Sequence, residues 1–105
     1  MHATLRRYEG VDPERTDELA EKITDTLMPR LSELPGFGGY YLIEAGVGVM
    51  TSVSLSETSA RADESTRVAG EWVREQKLEA ALPHSPKMTS GPVIARKSDR
   101  LVAAV

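Results

Sequence analysis

Leu19, Ile23, Leu27 and Leu31 recur at every fourth position, with Ala20 and Leu34 beside them. That spacing draws one apolar stripe along an amphipathic helix of about residues 13–34. Asp12 can cap its free N–H groups, and Pro13 suits the first helical position, where its missing N–H would be unpaired anyway. Glu14, Asp17 and Glu18 place acids where the helix dipole favours them. Pro29 removes one backbone hydrogen bond, which predicts a kink or a restarted last turn. Leu34-Pro35-Gly36 ends the element.

The flanking segments keep a period of two. Residues 3–9 predict a first strand, with Ala3, Leu5 and Arg7 on one face and Thr4, Arg6 and Tyr8 on the other. Residues 37–45 and 49–56 predict two strands joined through Gly46-Val47-Gly48, an antiparallel hairpin. Phe37, Tyr41 and Ile43 are expected on one face of the second strand, and Tyr40 and Leu42 on the other. Val68, Ala69, Trp72, Val73 and Gln76 keep helical spacing, predicting a second helix from about Ser59 to Leu82. Residues 87–96 predict a fourth strand, and Pro92, which cannot donate to a ladder, puts it at an edge or a bulge.

The order strand-helix-strand-strand-helix-strand is that of a ferredoxin-like α+β fold with a four-stranded antiparallel sheet. The chain, 105 residues long, has room for one domain, with a core at about 3–96 and a tail at 97–105 ending in the apolar LVAAV. Both faces of the second strand are apolar, yet two helices can cover only one face of the sheet. A partner subunit on the other face is the expected remedy.

Charge and composition narrow the function classes. The net charge of −3, with acids and bases interspersed, offers no basic stripe for nucleic acid. There is no cysteine, which excludes disulfides and thiolate chemistry. No apolar run approaches ~20 residues, so no membrane span is expected, and a cytoplasmic protein is the default. Aromatic residues make up only 5% of the chain, so Tyr8, Phe37, Tyr40, Tyr41 and Trp72 stand out.

The run RRYEGVDP (6–13), the amphipathic helix after it, and LPGFGGYYLIEAGVGVMTSVSLSE (34–57) leading into a helix with Trp72 resemble the dimeric α/β-barrel superfamily, specifically its antibiotic-biosynthesis-monooxygenase-like domains. The resemblance implies that two four-stranded sheets close into a dimeric α/β barrel, with one small-molecule pocket per subunit between the sheet and its helices. It implies a cofactor-independent oxygenase or related enzyme acting on a small aromatic or polyketide-like compound. The alternative is a non-catalytic binding module or a purely structural dimer. No cofactor is expected. The haem-degrading members pair a Trp with an Asn and an axial His, whereas this chain has no Asn and its histidines are His2 and His84.

Trp72, Tyr41 and His84 are the candidate catalytic residues, and Trp72, Tyr40, Tyr41 and Thr51 the candidate ligand contacts. Trp72 can stack on a flat ligand or simply pack the helix on the sheet. Tyr40 and Tyr41 point to opposite faces, so one is expected at the pocket and the other at the dimer interface; a buried hydroxyl needs a partner in either place. His84 can act as a general base, or stand exposed in its Pro-flanked loop. Arg6, if covered, needs a partner: Glu44 from a neighbouring strand or an anionic ligand. Ser52, Ser54 and Ser56 on the third strand lack a base for a triad, and two distant histidines make no transition-metal site. Few polar residues are expected at helix-facing strand positions, which favours binding or structure over catalysis.

Overall fold

The computed structural model describes residues 1–82 and 84–97; the LVAAV segment lies outside them. Four antiparallel strands, β1 (His2–Tyr8), β2 (Phe37–Gly46), β3 (Val49–Ser56) and β4 (Lys87–Pro92), form one sheet in the order β2-β3-β1-β4. All helical segments lie against one face, giving a ferredoxin-like α+β fold. β4 pairs with β1 alone and is an edge strand, where Pro92 costs no ladder bond.

The first helical layer begins as expected. The Asp12 carboxylate accepts from the Glu14 amide at 3.0 Å, and Pro13 opens a 3-10 turn, Pro13–Arg15. The chain then runs as α1 (Thr16–Lys22), a π-helical stretch (Ile23–Leu27) and α2 (Met28–Ser32). Pro29 therefore falls in the first turn of a restarted helix, where its lack of an N–H costs little. The wide turn before it is closed by the Met28 amide donating to the Ile23 carbonyl, five residues back. Leu19, Ile23, Leu27 and Leu31, the stripe read from the sequence, are all buried.

Helix α3 (Ser59–Glu75) is capped by the Thr58 hydroxyl, which accepts from the Arg61 amide at 3.2 Å. It stops seven residues short of the expected Leu82, and the reason is a Schellman end. Lys77 turns left-handed (φ 55), the Lys77 amide donates to Arg74 O at 3.1 Å and the Leu78 amide to Val73 O at 3.0 Å. Leu78 is thereby driven into the core, 1% exposed.

Phe37 departs from its expected face. The register steps from Phe37 opposite Ser56 to Gly39 opposite Leu55. This bulge at Gly38 puts Phe37 with Tyr40 and Leu42 on the helix side, leaving Tyr41 and Ile43 outside. The fourth strand also ends earlier than expected, at Pro92 instead of residue 96.

The β2–β3 hairpin turns at Val47-Gly48. Gly48 has φ +74, its carbonyl accepts from the Val11 amide at 3.0 Å, and a Cβ there would meet the Val11 carbonyl at 3.0 Å. Gly48→Ala is expected to lower stability by more than about 1 kcal/mol through backbone strain, measured by urea unfolding; an unchanged midpoint would contradict this reading of the turn.

Candidate functional site

The register assigns the sheet residues to two faces. Thr4, Arg6 and Tyr8 of β1, Tyr40 and Leu42 of β2, and Met50, Ser52, Ser54 and Ser56 of β3 face the helices. This face is far more polar than the sequence reading expected, because the β3 serines alternate inward while Val53 and Leu55 face out. Small side chains at 52, 54 and 56 let α3 approach closely and leave space near the sheet centre.

That space is a small apolar cavity of about 30 Å³ between the sheet and the helices. Trp72, Leu19, Ile23 and Leu42 wall it, and Arg6, Tyr8, Tyr40 and Ser52 give it a polar floor. It has room for a water or two and no more. Arg6, Tyr8, Ala69, Val73 and Leu82 also line a wider groove of about 420 Å³ between β1, β4 and α3, reaching out to Arg74, Glu79, His84 and Met88. The groove, unlike the inner cavity, is large enough for an organic ligand.

Arg6 sits at the junction, 5% exposed. Its Nη1 donates to Ser54 Oγ at 3.4 Å, and its Nη2 to the Thr66 hydroxyl on α3. Glu44, the partner suggested by the sequence, is instead exposed on β2 opposite Met50. Burial raises the pKa of the Tyr8 phenol above its ordinary value, opposed by the nearby Arg6 charge. Burial raises that of Tyr40 too, opposed by a hydrogen bond with Ser52. Both phenols are therefore protonated at neutral pH and available as donors.

Trp72 is 3% exposed, and its ring lines the small cavity. Its indole N–H is already taken: it donates to the Thr26 hydroxyl at 2.8 Å, and Thr26 in turn donates to the Lys22 carbonyl at 2.6 Å. The π-helical stretch thus presents a hydroxyl to α3, and Trp72 ties the two helical layers together. It offers a ligand its ring and not its N–H.

Of the other residues singled out by sequence, Tyr40 lines the small cavity and His84 the outer edge of the groove. Tyr41 and Thr51 are placed elsewhere. Both lie on the opposite face of the sheet, Thr51 because it pairs with Arg7 and Ile43, Tyr41 because it pairs with Val53. Tyr8, Ser52, Ser54 and Thr66 belong to the site and were not singled out as ligand contacts. The inward serines alternating with Val53 and Leu55 were the available signal. Among the described residues, no group of three His, Asp or Glu side chains gathers to hold a metal ion.

No family model and no curated protein matches the sequence. Solved structures do match the fold. A monooxygenase of Streptomyces coelicolor, solved with nanaomycin D, superposes with a TM-score of 0.70 over 93% of this chain and 92% of its own, at 16% identity. A protein of Nitrosomonas europaea assigned to the antibiotic biosynthesis monooxygenases gives 0.72 over 90% and 100%, at 12% identity. The chain has the antibiotic-biosynthesis-monooxygenase-like fold. A MhuD variant with two manganese protoporphyrin IX molecules bound per active site shares this fold as well, with a TM-score of 0.73 over 94% and 100% at 14% identity.

The residues present here do not fit a haem. α3 carries no histidine and His84 stands exposed in a loop at the groove's outer edge, so among the described residues no side chain inside the cavity or groove is set as an axial ligand. Within the antibiotic-biosynthesis-monooxygenase-like fold, this chain has instead a polar floor under an apolar roof.

Trp72→Ala should cost about 3–5 kcal/mol, and Thr26→Val, which orphans the buried indole N–H, about 1–3 kcal/mol; urea unfolding measures both, and a neutral Thr26→Val would contradict the bond. Stability should not depend on Tyr8 and Tyr40 below about pH 10, where folded and unfolded chains both hold the phenol protons. It should fall as pH rises above that value, because the unfolded chain releases those protons first. Replacing both tyrosines with Phe should flatten part of the fall above about pH 10; an identical fall in the variant would contradict the raised values.

Proposed function

We propose that the chain is a homodimeric small-molecule protein of the oxygenase type. It would bind a small aromatic or polyketide-like compound in the groove beside Arg6 and act without a bound cofactor. The observation that carries the reading is the arrangement of the groove. An organic ligand's apolar body would meet Ala69, Val73 and Leu82, while its oxygens would meet Arg6 and Tyr8. The fold shared with a monooxygenase that holds nanaomycin D supports the same class of ligand.

The chemistry asked of the protein is modest. An electron-rich hydroxyaromatic compound can itself supply electrons to dioxygen once its enol or phenol is ionised. The protein's part would be to hold that oxyanion against a guanidinium in a poorly hydrated site, where the charge is worth more than in water. His84, which lines the outer edge of the groove, would take the proton.

The dimer rests on the other face of the sheet. Tyr41 and Ile43 are 57% and 47% exposed there, with Val53 next to Tyr41 and Leu5 on the far side of Val53. A contiguous exposed apolar face of this kind marks an association surface, and a second copy of the same sheet would cover it.

A second reading, a binding module without catalysis, is favoured by the inner cavity, which is too small to enclose a substrate beside Trp72. Oxygen uptake in the presence of a panel of dihydroxynaphthalenes separates the two. Protein-dependent uptake that is lost in Arg6→Met supports the oxygenase; binding of the same compounds without uptake supports the module. Replacing Tyr41 and Ile43 with Glu should convert the dimer to a folded monomer in sedimentation. A wild-type protein that sediments as a monomer would contradict the proposed assembly.

A further inference from the structure

Arg6 is the one charged side chain that is buried among the described residues. The ion pairs of this chain lie on its surface: Arg7 and Lys87 with Glu9, Arg15 and Lys22 with Glu18, Arg30 with Glu71 and Glu75, Arg61 with Glu64 and Arg67 with Glu71. None of these pairs includes Arg6. Two of its N–H groups go to the neutral hydroxyls of Ser54 and Thr66. Hydroxyls orient a guanidinium but do not neutralise it. A buried charge without a counter-charge is costly, and a sequence rarely keeps one without a use for it.

The surroundings say what the counter-charge is. Arg6 lines both the small cavity and the groove, so a ligand in either would lie against its side chain. A guanidinium presents five N–H groups in a planar fork, matched to two oxygens that share one negative charge. Tyr8, protonated at neutral pH, stands beside it as a further donor. The groove beyond is walled by Ala69, Val73, Leu82, Pro86 and Met88, with Arg74, Glu79 and His84 as the charged or titratable groups at its outer part.

We propose that the groove is an anion site, taking an organic compound that carries a delocalised oxyanion, a carboxylate or an ionised enol, on an apolar body. Arg6 binds the oxyanion and Ser54 and Thr66 hold the guanidinium in place. This rests on the small-molecule reading above and specifies its ligand class.

Calorimetric titration of the full chain at neutral pH tests it with two matched pairs. The first is 2-naphthoate against 2-naphthamide. The second is 2-hydroxy-1,4-naphthoquinone, ionised through its enol, against its methyl ether. The anion of at least one pair should bind about tenfold or more tightly than its neutral partner, and the pair that discriminates identifies the oxyanion. Arg6→Met should erase the preference. The wild-type comparison decides the matter even where that variant does not fold. Equal binding of anion and neutral partner in both pairs overturns the anion site and leaves the small-molecule reading standing. Failure of all four compounds to bind overturns both.

Discussion

Helical segments cover one face of the sheet and only one, and most of this structure follows from that constraint. The stripe of Leu19, Ile23, Leu27 and Leu31 and the buried side of α3 are spent on the inner face. No helix among the described residues covers Tyr41 and Ile43 on the outer face, and both stay about half exposed. The two helical layers must also be joined to each other, and Trp72 does this through Thr26. Thr26 reaches that position from a π-helical stretch, which also lets the chain resume as a helix at Pro29. One proline, one threonine and one tryptophan thus set the roof above the sheet.

What lies under the roof is unusual for a sheet–helix interface. The centre of the inner face is built from Thr4, Arg6, Ser52 and Ser54 instead of large aliphatic residues. Small hydroxyl side chains satisfy a buried guanidinium's geometry without cancelling its charge, and they leave the space that larger side chains would fill. Stability and site geometry therefore pull in opposite directions at Arg6, a tension expected where a fold keeps a residue for binding and not for packing.

Much of the fold was legible in the sequence because it rests on periodicity. The helical stripe, the hairpin, the Asp12-Pro13 start and the edge position of Pro92 all have local chemical signatures. The departures come where tertiary geometry decides. The bulge at Gly38 moves Phe37 across the sheet, and a strict period of two cannot anticipate it. Helix α3 ends on Lys77 in a conformation usually marked by glycine, so the sequence carried no stop signal there. The site was less legible for the same reason. Trp72, Tyr40 and His84 were singled out by rarity and do lie along the cavity and groove, but Thr51 and Tyr41 fall on the far face once the register is known. Arg6 required knowledge that its face is covered and that Glu44 is not its partner, facts that only the assembled sheet supplies.

Native mass spectrometry of the protein as purified from its expression host tests the central claim most directly. The claim is that the uncovered sheet face joins two copies while the covered face keeps an open ligand site. The account predicts a dimer that carries, or takes up on addition, one small organic anion per subunit. A bare monomer at micromolar concentration that takes up nothing would contradict it.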